Sequence, residues 1–322
     1  GTIHLVWFSG MEEGGADNGI LHSVLSSGAS AWSTPKVISV QADRSAQNPV
    51  IFYDTACNRL TLLHTSQAAY KGQSTSEVRI VHSQDDGETW STPEALFNEP
   101  GAFTKNNLLK SADGCEWLLP MYYTPDGFFV HHSQYSTVRR SKDGGLSWYL
   151  EANMPGTLGK LVQPTVVRTA ADPARLLSFF RSRAADYIYK SESLDDGRTW
   201  SPASPTPLPN NNSGIQAAVL ANGHLVMVFN NVQGKQARCP LSIGISEDDG
   251  VSWPYVRDLE PYSEERRVHK LEESMRTKHP LKGEYSYPSI VQTADGYIHI
   301  AYTFRRETVR YVRVSEDWVR SG

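Results

Sequence analysis

None of the 322 residues lies in an apolar run that approaches the roughly 20 residues a membrane-spanning helix needs. Cysteine is scarce. Cys57, Cys115 and Cys239 are scattered and odd in number, so no disulfide framework can be read, and no CxxC or HExxH pattern supplies metal ligands. No structural zinc, other metal or cofactor is expected. One-sided charge is missing too: 31 Lys and Arg against 35 Asp and Glu leave a formal charge of −4, which excludes the basic footprint of a nucleic-acid partner. The cysteines do not disclose the compartment. The chain is strand-like from Ile3 onward with no visible leader, which fits either a removed signal peptide or a truncated start. Helical periodicity is nearly absent. The exception is a charged stretch, residues 263–278, within an insert spanning 261–283; it reads as a solvated loop or short surface helix, with a lid as the alternative.

What is present is punctuation and aromatics. With 24 Gly and 18 Pro, and 39% hydrophobic residues, the chain is neither disordered nor coiled coil. Eight Trp and 15 Tyr fit aromatics on short strands or lining a sugar site.

A repeat organises the chain. The pattern Ser-x-Asp-x-Gly-x-x-Trp occurs at Ser83, Asp85, Gly87, Trp90; at Ser141, Asp143, Gly145, Trp148; at Ser193, Asp195, Gly197, Trp200; and at Ser246, Asp248, Gly250, Trp253. A degenerate copy runs from Ser23 to Trp32, and Ser315, Asp317 and Trp318 form a damaged sixth. The box residues Trp32, Trp90, Trp148, Trp200 and Trp253 are 58, 58, 52 and 53 residues apart. Asp can hold a tight turn by accepting backbone N–H groups, Gly takes a conformation closed to other residues, and Trp packs beneath. Short alternating runs precede each box, as at residues 50–53, 60–64 and 78–82, and the residues after each Trp supply another strand. Four short strands per repeat of about 50 residues predict an all-β fold, a six-bladed β-propeller of four-stranded antiparallel blades joined by Asp-box turns, as one domain over 1–322. The first blade lacks its innermost strand, because residues 2–8 read as a second strand, and the natural chain is expected to begin before Gly1.

The four boxes resemble those of sialidases and sialidase-like BNR-repeat propellers, and the likeness covers essentially the whole chain. Between the boxes, the segments around Trp7 to Gly14, Gln47 to Pro49, Lys105 and Asn106, Gln163 and Pro164, Asn212 to Gly214, Glu284 to Pro288 and Thr303 to Arg306 resemble a predicted-neuraminidase branch. In such a propeller the box turns lie away from the substrate. The opposite face takes residues 10–18, 64–76, 122–135, 181–187, 230–238 and 305–307. It also takes the loops entering the innermost strands: 44–48, 102–107, 159–163, 210–213 and 284–287.

The resemblance implies roles for residues on that face. Among Arg181, Arg183, Arg305 and Arg306, whose guanidinium groups can grip a carboxylate through paired hydrogen bonds, Arg181 and Arg305 are the expected carboxylate binders, with Arg306 beside them. Tyr285, rather than Tyr287, matches the tyrosine nucleophile at the start of the last blade. A sialic acid carries a carboxylate on its anomeric carbon, so a neutral phenol activated by a Glu suits it better than an anionic nucleophile. Glu284 is the adjacent candidate base. Asp17 matches the family's general acid, with Glu12 and Glu13 competing in the same loop. The expected partner is a glycan bearing an acidic sugar, bound by a probable monomer, secreted or periplasmic by resemblance alone. One departure is plain: the Phe/Tyr-Arg-Ile-Pro motif of authentic sialidases is absent.

The same face allows a second chemistry, elimination next to a uronic acid by a rhamnose–glucuronate type lyase. There His64, His131, His132 or Tyr122 would take the C5 proton, with Asn106, Gln163 and Asn212 as amide donors. A non-catalytic glycan-binding propeller is the third reading. Asn211 and Ser213 form a formal glycosylation sequon inside a predicted site loop.

Overall fold

The structure is a computed structural model that describes residues 1–126, 132–150, 153–235, 238–262 and 284–322. Its described residues form six successive antiparallel sheets, the blades of a six-bladed β-propeller. Blade one comprises Ile3–Ser9, Gly19–Leu25 and Lys36–Ser39. Blade two comprises Arg44–Asp54, Arg59–Ala68, Glu77–Ser83 and Glu94–Phe97. In blade three, Ala102–Phe103 and Leu109–Lys110 both pair with Trp117–Tyr123, followed by Tyr135–Ser141 and Tyr149–Leu150. Blade four runs through Leu161–Arg168, Leu176–Ser182, Tyr187–Ser193 and Ser204–Pro209, and blade five through Gln216–Val219, Leu225–Asn230, Leu241–Ser246 and Tyr255–Glu260. Blade six has Tyr285–Gln292, Ile298–Phe304 and Thr308–Val314.

Among the described residues the helices are a short 3-10 turn at Gln73–Thr75 and a five-residue α-helix at Glu316–Arg320. No helix of the described residues is long and apolar enough to cross a membrane. The charged insert is outside the described residues, apart from Pro261 and Tyr262.

Chain contacts divide the molecule into two compact units. The N-terminal unit holds residues 1–166 with 195–201, and the C-terminal unit holds 167–194 with 202–322. The first is cored by residues such as Val50, Leu63, Val78, Leu119 and Met121. The second is cored by Val226, Val228, Ile243, Ile245, Ile298 and Ile300. Middle strands such as Leu225–Asn230 and Leu241–Ser246 are buried at every position, whereas the edge strand Thr308–Val314 mixes exposed and half-buried residues. Both patterns follow from sheets covered on two faces in their middle and open at their rim.

The boxes behave as elementary chemistry requires. In blade three, Ser141 Oγ donates to Asp143 Oδ1 at 2.8 Å and accepts from Gly145 N–H at 2.8 Å. Asp143 accepts the Ser147 N–H at 2.8 Å and also its hydroxyl. The indole of Trp148 donates to the Gly145 carbonyl at 2.9 Å. Gly145 stands at φ 90°, and a Cβ there would meet the Trp117 ring at 2.6 Å, so both backbone and space demand glycine. Blades two and five repeat the Ser-Asp arrangement.

The damaged sixth box folds differently. It lacks the Gly and places Trp318 directly after Asp317, so the turn cannot close. Instead Ser315 caps the terminal helix by accepting from Trp318 N–H at 3.1 Å, and the Arg257 guanidinium lies 3.9 Å over the Trp318 ring.

One expectation is corrected at the strand entries. Residues 44–48 and 159–163 were expected to be loops, yet strands start at Arg44 and Leu161. In blade two a single left-handed residue, Asn48 at φ 46°, bulges the strand without ending it, and pairing resumes at Val50.

Two outcomes follow. Hydrogen bonds from Thr89 hold Asp85 down to about 2 and those from Ser147 do the same for Asp143; at Asp248 burial, the largest single effect, pushes up, and the hydrogen bonds from Ser252, Ser246 and Val251 together outweigh it and hold the carboxyl at about 2. Since the unfolded value is about 3.9, this stabilisation is whole above about pH 4 and is lost as pH falls towards 2. Asp143→Asn should therefore flatten the fall of the urea midpoint across that window. At Gly145, Ala should cost about 1–3 kcal/mol by thermal unfolding, and more than Ala at Gly144, whose Cβ would meet nothing within 4 Å.

Candidate active site

In the C-terminal unit the polar residues gather where strands begin or end. Tyr285 opens the first strand of blade six and is 2% exposed. Its N–H donates to the Arg238 carbonyl at 3.0 Å, and its carbonyl accepts from Asn230 Nδ2 at 3.1 Å. Its ring lies 5.3 Å from Phe304, and the Arg305 guanidinium hydrogen-bonds its phenol. Burial pushes the phenol above its ordinary value, the nearby Glu260 adds to this, and Arg305 opposes both. Tyr285 is thus protonated in the free protein.

Glu284, one residue earlier, is 3% exposed. Its Oε1 accepts from Arg306 Nε at 2.5 Å and lies 3.9 Å from Arg238 Nη1. Its other oxygen, Oε2, is buried and has no hydrogen-bond partner among the described residues. Its backbone carbonyl accepts the Arg305 N–H at 2.6 Å, which joins the two ends of the cluster. Arg305 and Arg306 are both left-handed, at φ 53° and 55°. Arg306 is therefore engaged by an internal carboxylate, whereas Arg305 is aimed at the tyrosine.

Arg181 lies within the strand Leu176–Ser182, not on the loop beyond it, and is buried. Its Nε donates to Asn212 Oδ1 at 2.8 Å. Asn212 is itself left-handed at φ 62° and is anchored by its N–H to Asn210 Oδ1 at 3.0 Å. Asn211 is 5% exposed, so the sequon has no accessible acceptor.

The N-terminal unit holds the remaining candidates. Asp17 is exposed and accepts the Met11 N–H at 2.7 Å, which ties its loop together; Glu12 and Glu13 are exposed as well. The buried Asn18 beneath them donates to the Glu12 carbonyl at 2.7 Å and to Ser45 Oγ at 2.9 Å. Further along, Tyr122 and Phe103 stack at 5.0 Å, and Gln163 Nε2 reaches the Tyr122 hydroxyl at 3.5 Å. Asn106 donates to the carbonyls of Gln163 and Pro164, both at 3.0 Å, and its Oδ1 accepts from Lys105 Nζ at 3.2 Å. Tyr122, Asn106 and Gln163 thus form one buried polar group, with Tyr122 inside a strand and not on a loop.

The candidate histidines differ in exposure among the described residues. His64 is a fully buried strand residue, contrary to its expected place on a loop. Its Nδ1 donates to the Thr65 carbonyl at 3.0 Å, so its Nε2 accepts from the Ser39 hydroxyl at 2.9 Å. Both ring nitrogens are engaged, and burial pushes the ring down to about 4. His132 is exposed, and His131 falls outside the described residues.

Sequence reasoning passed over one recurring device. Asn48, Gln163 and Tyr287, each followed by proline, are left-handed at φ 46°, 56° and 51° where the innermost strands begin, as is Asn212 in blade five's entry. Bulky residues avoid this region, and strain of this kind is concentrated at functional sites. The signal was available as a recurrent residue-proline pair ahead of those strands. Arg238, whose guanidinium lies 5.0 Å over the Tyr287 ring, had no such signal.

A propeller of Asp-box blades with an arginine-held tyrosine at the head of its last blade defines a class, the sialidase-like propellers. The sequence matches the BNR repeat-like domain family over residues 1–300, and the chain belongs to that family. No curated protein matches it in sequence. Among solved structures it resembles the Hadza microbial sialidase Hz136 with a TM-score of 0.75 and 14% identity, over 99% of this chain and 64% of that one. It resembles the intramolecular trans-sialidase of Ruminococcus gnavus with a TM-score of 0.76 and 14% identity, over 99% and 93%. The NanB sialidase of Streptococcus pneumoniae gives a TM-score of 0.77 at 12% identity, over 99% and 67%. At these identities the likeness establishes the fold.

The His64 geometry has a measurable consequence. Its folded value of about 4 lies below the unfolded 6.5, so the folded chain binds fewer protons between them. Stability from this group is whole above about pH 6.5 and declines as pH falls towards 4, by on the order of 3 kcal/mol. Nitrogen-15 NMR should show a neutral ring protonated on Nδ1 at pH 6; a ring titrating near 6.5 would contradict the placement.

Proposed function

We propose that the protein is an exo-acting glycoside hydrolase of the sialidase type, releasing a terminal acidic sugar from a glycan. The observation that supports this best is the buried phenol of Tyr285 hydrogen-bonded by Arg305. A carboxylate on the anomeric carbon repels an anionic nucleophile and favours a neutral phenol beside a cation. Arg305 and Arg181 are the carboxylate binders in this reading, with Arg181 held through its Nε by Asn212. Arg306 is less suited, since Glu284 occupies it.

In the first step the phenol oxygen of Tyr285 attacks the anomeric carbon and the bond to the leaving oxygen breaks. The phenol proton passes to the unpartnered Oε2 of Glu284, and a protonated general acid gives its proton to the leaving oxygen. In the second step a water oxygen attacks the same carbon, its proton goes to that acid's conjugate base, and the phenol leaves with the proton returned by Glu284. Neither step calls for a metal or cofactor. The sialidases and trans-sialidases of like fold support the reading at the level of reaction class.

Kinetics with sialyl oligosaccharides test it. Tyr285→Phe should lose about a thousandfold or more in kcat. Arg181→Lys should raise KM. Wild-type turnover in Tyr285→Phe would remove the proposal.

A further inference from the structure

Two histidines that no candidate site includes meet beside blade two's box, within the N-terminal unit. His4 lies on the strand Ile3–Ser9 and His22 on its partner Gly19–Leu25. Their rings are parallel to within 2°, with centroids 5.2 Å apart, and His4 Nδ1 lies 3.0 Å from His22 Nε2. His22 is 2% exposed and meets the ring of Trp90 edge-on at 5.4 Å. Trp90 belongs to blade two's box, so the rings join blade one to its neighbour. Gly87 of the same box stands at φ 88°, and a Cβ there would come within 2.5 Å of the His22 ring. The glycine therefore lets the ring pack directly against the turn.

Proton count decides what this contact tolerates. His4 Nε2 lies 3.2 Å from Asp86 Oδ1 and carries its hydrogen toward that carboxylate. A neutral His4 then offers Nδ1 as an acceptor, and His22 Nε2–H donates to it. A second proton on His4 would set two N–H groups against each other. A proton on His22 Nδ1 would create a buried charge with no acceptor among the described residues. The other charged groups that face the rings are Asp86 and Glu88 of the box and Lys36 of blade one's third strand, and Lys36 is paired with Glu88 at 2.7 Å.

We propose that the His4–His22 pair is an acid-released clamp, which holds blade one's leading hairpin on blade two at neutral pH and frees it when the rings become charged. The hairpin carries residues 10–18 at its opposite end, so release loosens that loop as well. The ring values support the direction. Burial pushes His4 below its ordinary value, with Asp86 opposing. Burial, with His4 and Lys36 adding to it, pushes His22 down to about 4 against Asp86 and Glu88. Freed rings titrate near 6.5, so the clamp is whole above that pH and weakens as pH falls towards 4.

Hydrogen exchange read by mass spectrometry tests it, as protection factors corrected for intrinsic rates at pH 7, 6 and 5. In the wild type, protection of Ile3–Ser9 should fall about tenfold between pH 6 and 5, while Leu225–Asn230 stays within about twofold. In His22→Gln, which can still donate to His4 but takes no charge, the fall should shrink to within about twofold. His22→Phe, which keeps a ring against Trp90, should do the same, and either variant decides alone. Unchanged wild-type protection of Ile3–Ser9, or an equal fall in the variants, would overturn the clamp. A fall shared with Arg59–Ala68 in wild type and variants alike would assign the acid response to His64 and overturn it too.

Discussion

A carboxylate closing a turn onto a glycine is the contact on which the architecture depends. In each box the Asp side chain takes backbone and hydroxyl donors four residues ahead, as Asp85 does with Thr89 and Asp248 with Ser252. That fixes the turn between the third and fourth strands. The glycine must then come close to an aromatic ring or histidine of the same unit, as Gly145 does to Trp117 and Gly87 to His22. Where the glycine is lost, at Ser315 to Trp318, the chain forms a capped helical turn. The box is thus a geometric condition.

In both units the candidate site residues lie at strand entries, near the ends of strands or in the loops beyond them. The left-handed residues Asn48, Gln163, Asn212 and Tyr287 show that the backbone bends at these entries in both units. Tyr285 illustrates the tension there. Its burial disfavours the phenolate, while Arg305 favours it. In the proposed reaction, a tyrosine kept neutral at rest and deprotonated only with substrate bound suits a site that must first admit an anionic sugar.

The fold was legible because it repeats. Four boxes at near-constant spacing, with alternating runs between them, sufficed for six blades. The site was legible only in part. Tyr285 and Glu284 could be placed from the start of the last blade, and their burial beside arginines is consistent with that reading. His64 could not be placed correctly, because alternation marks a strand but does not say how far the strand extends, and its bond to Ser39 joins residues 25 positions apart. The pairing of Glu284 with Arg306 was equally hidden, since it links residues 22 positions apart in sequence.

The most direct test of the account is the fate of oxygen. The protein would be incubated in heavy-oxygen water with sialylated and uronate-containing glycans, and the products weighed by mass spectrometry. Hydrolysis through Tyr285 predicts a released acidic sugar carrying one heavy oxygen at its anomeric carbon. An unlabelled product with a new carbon–carbon double bond would establish elimination and contradict the account.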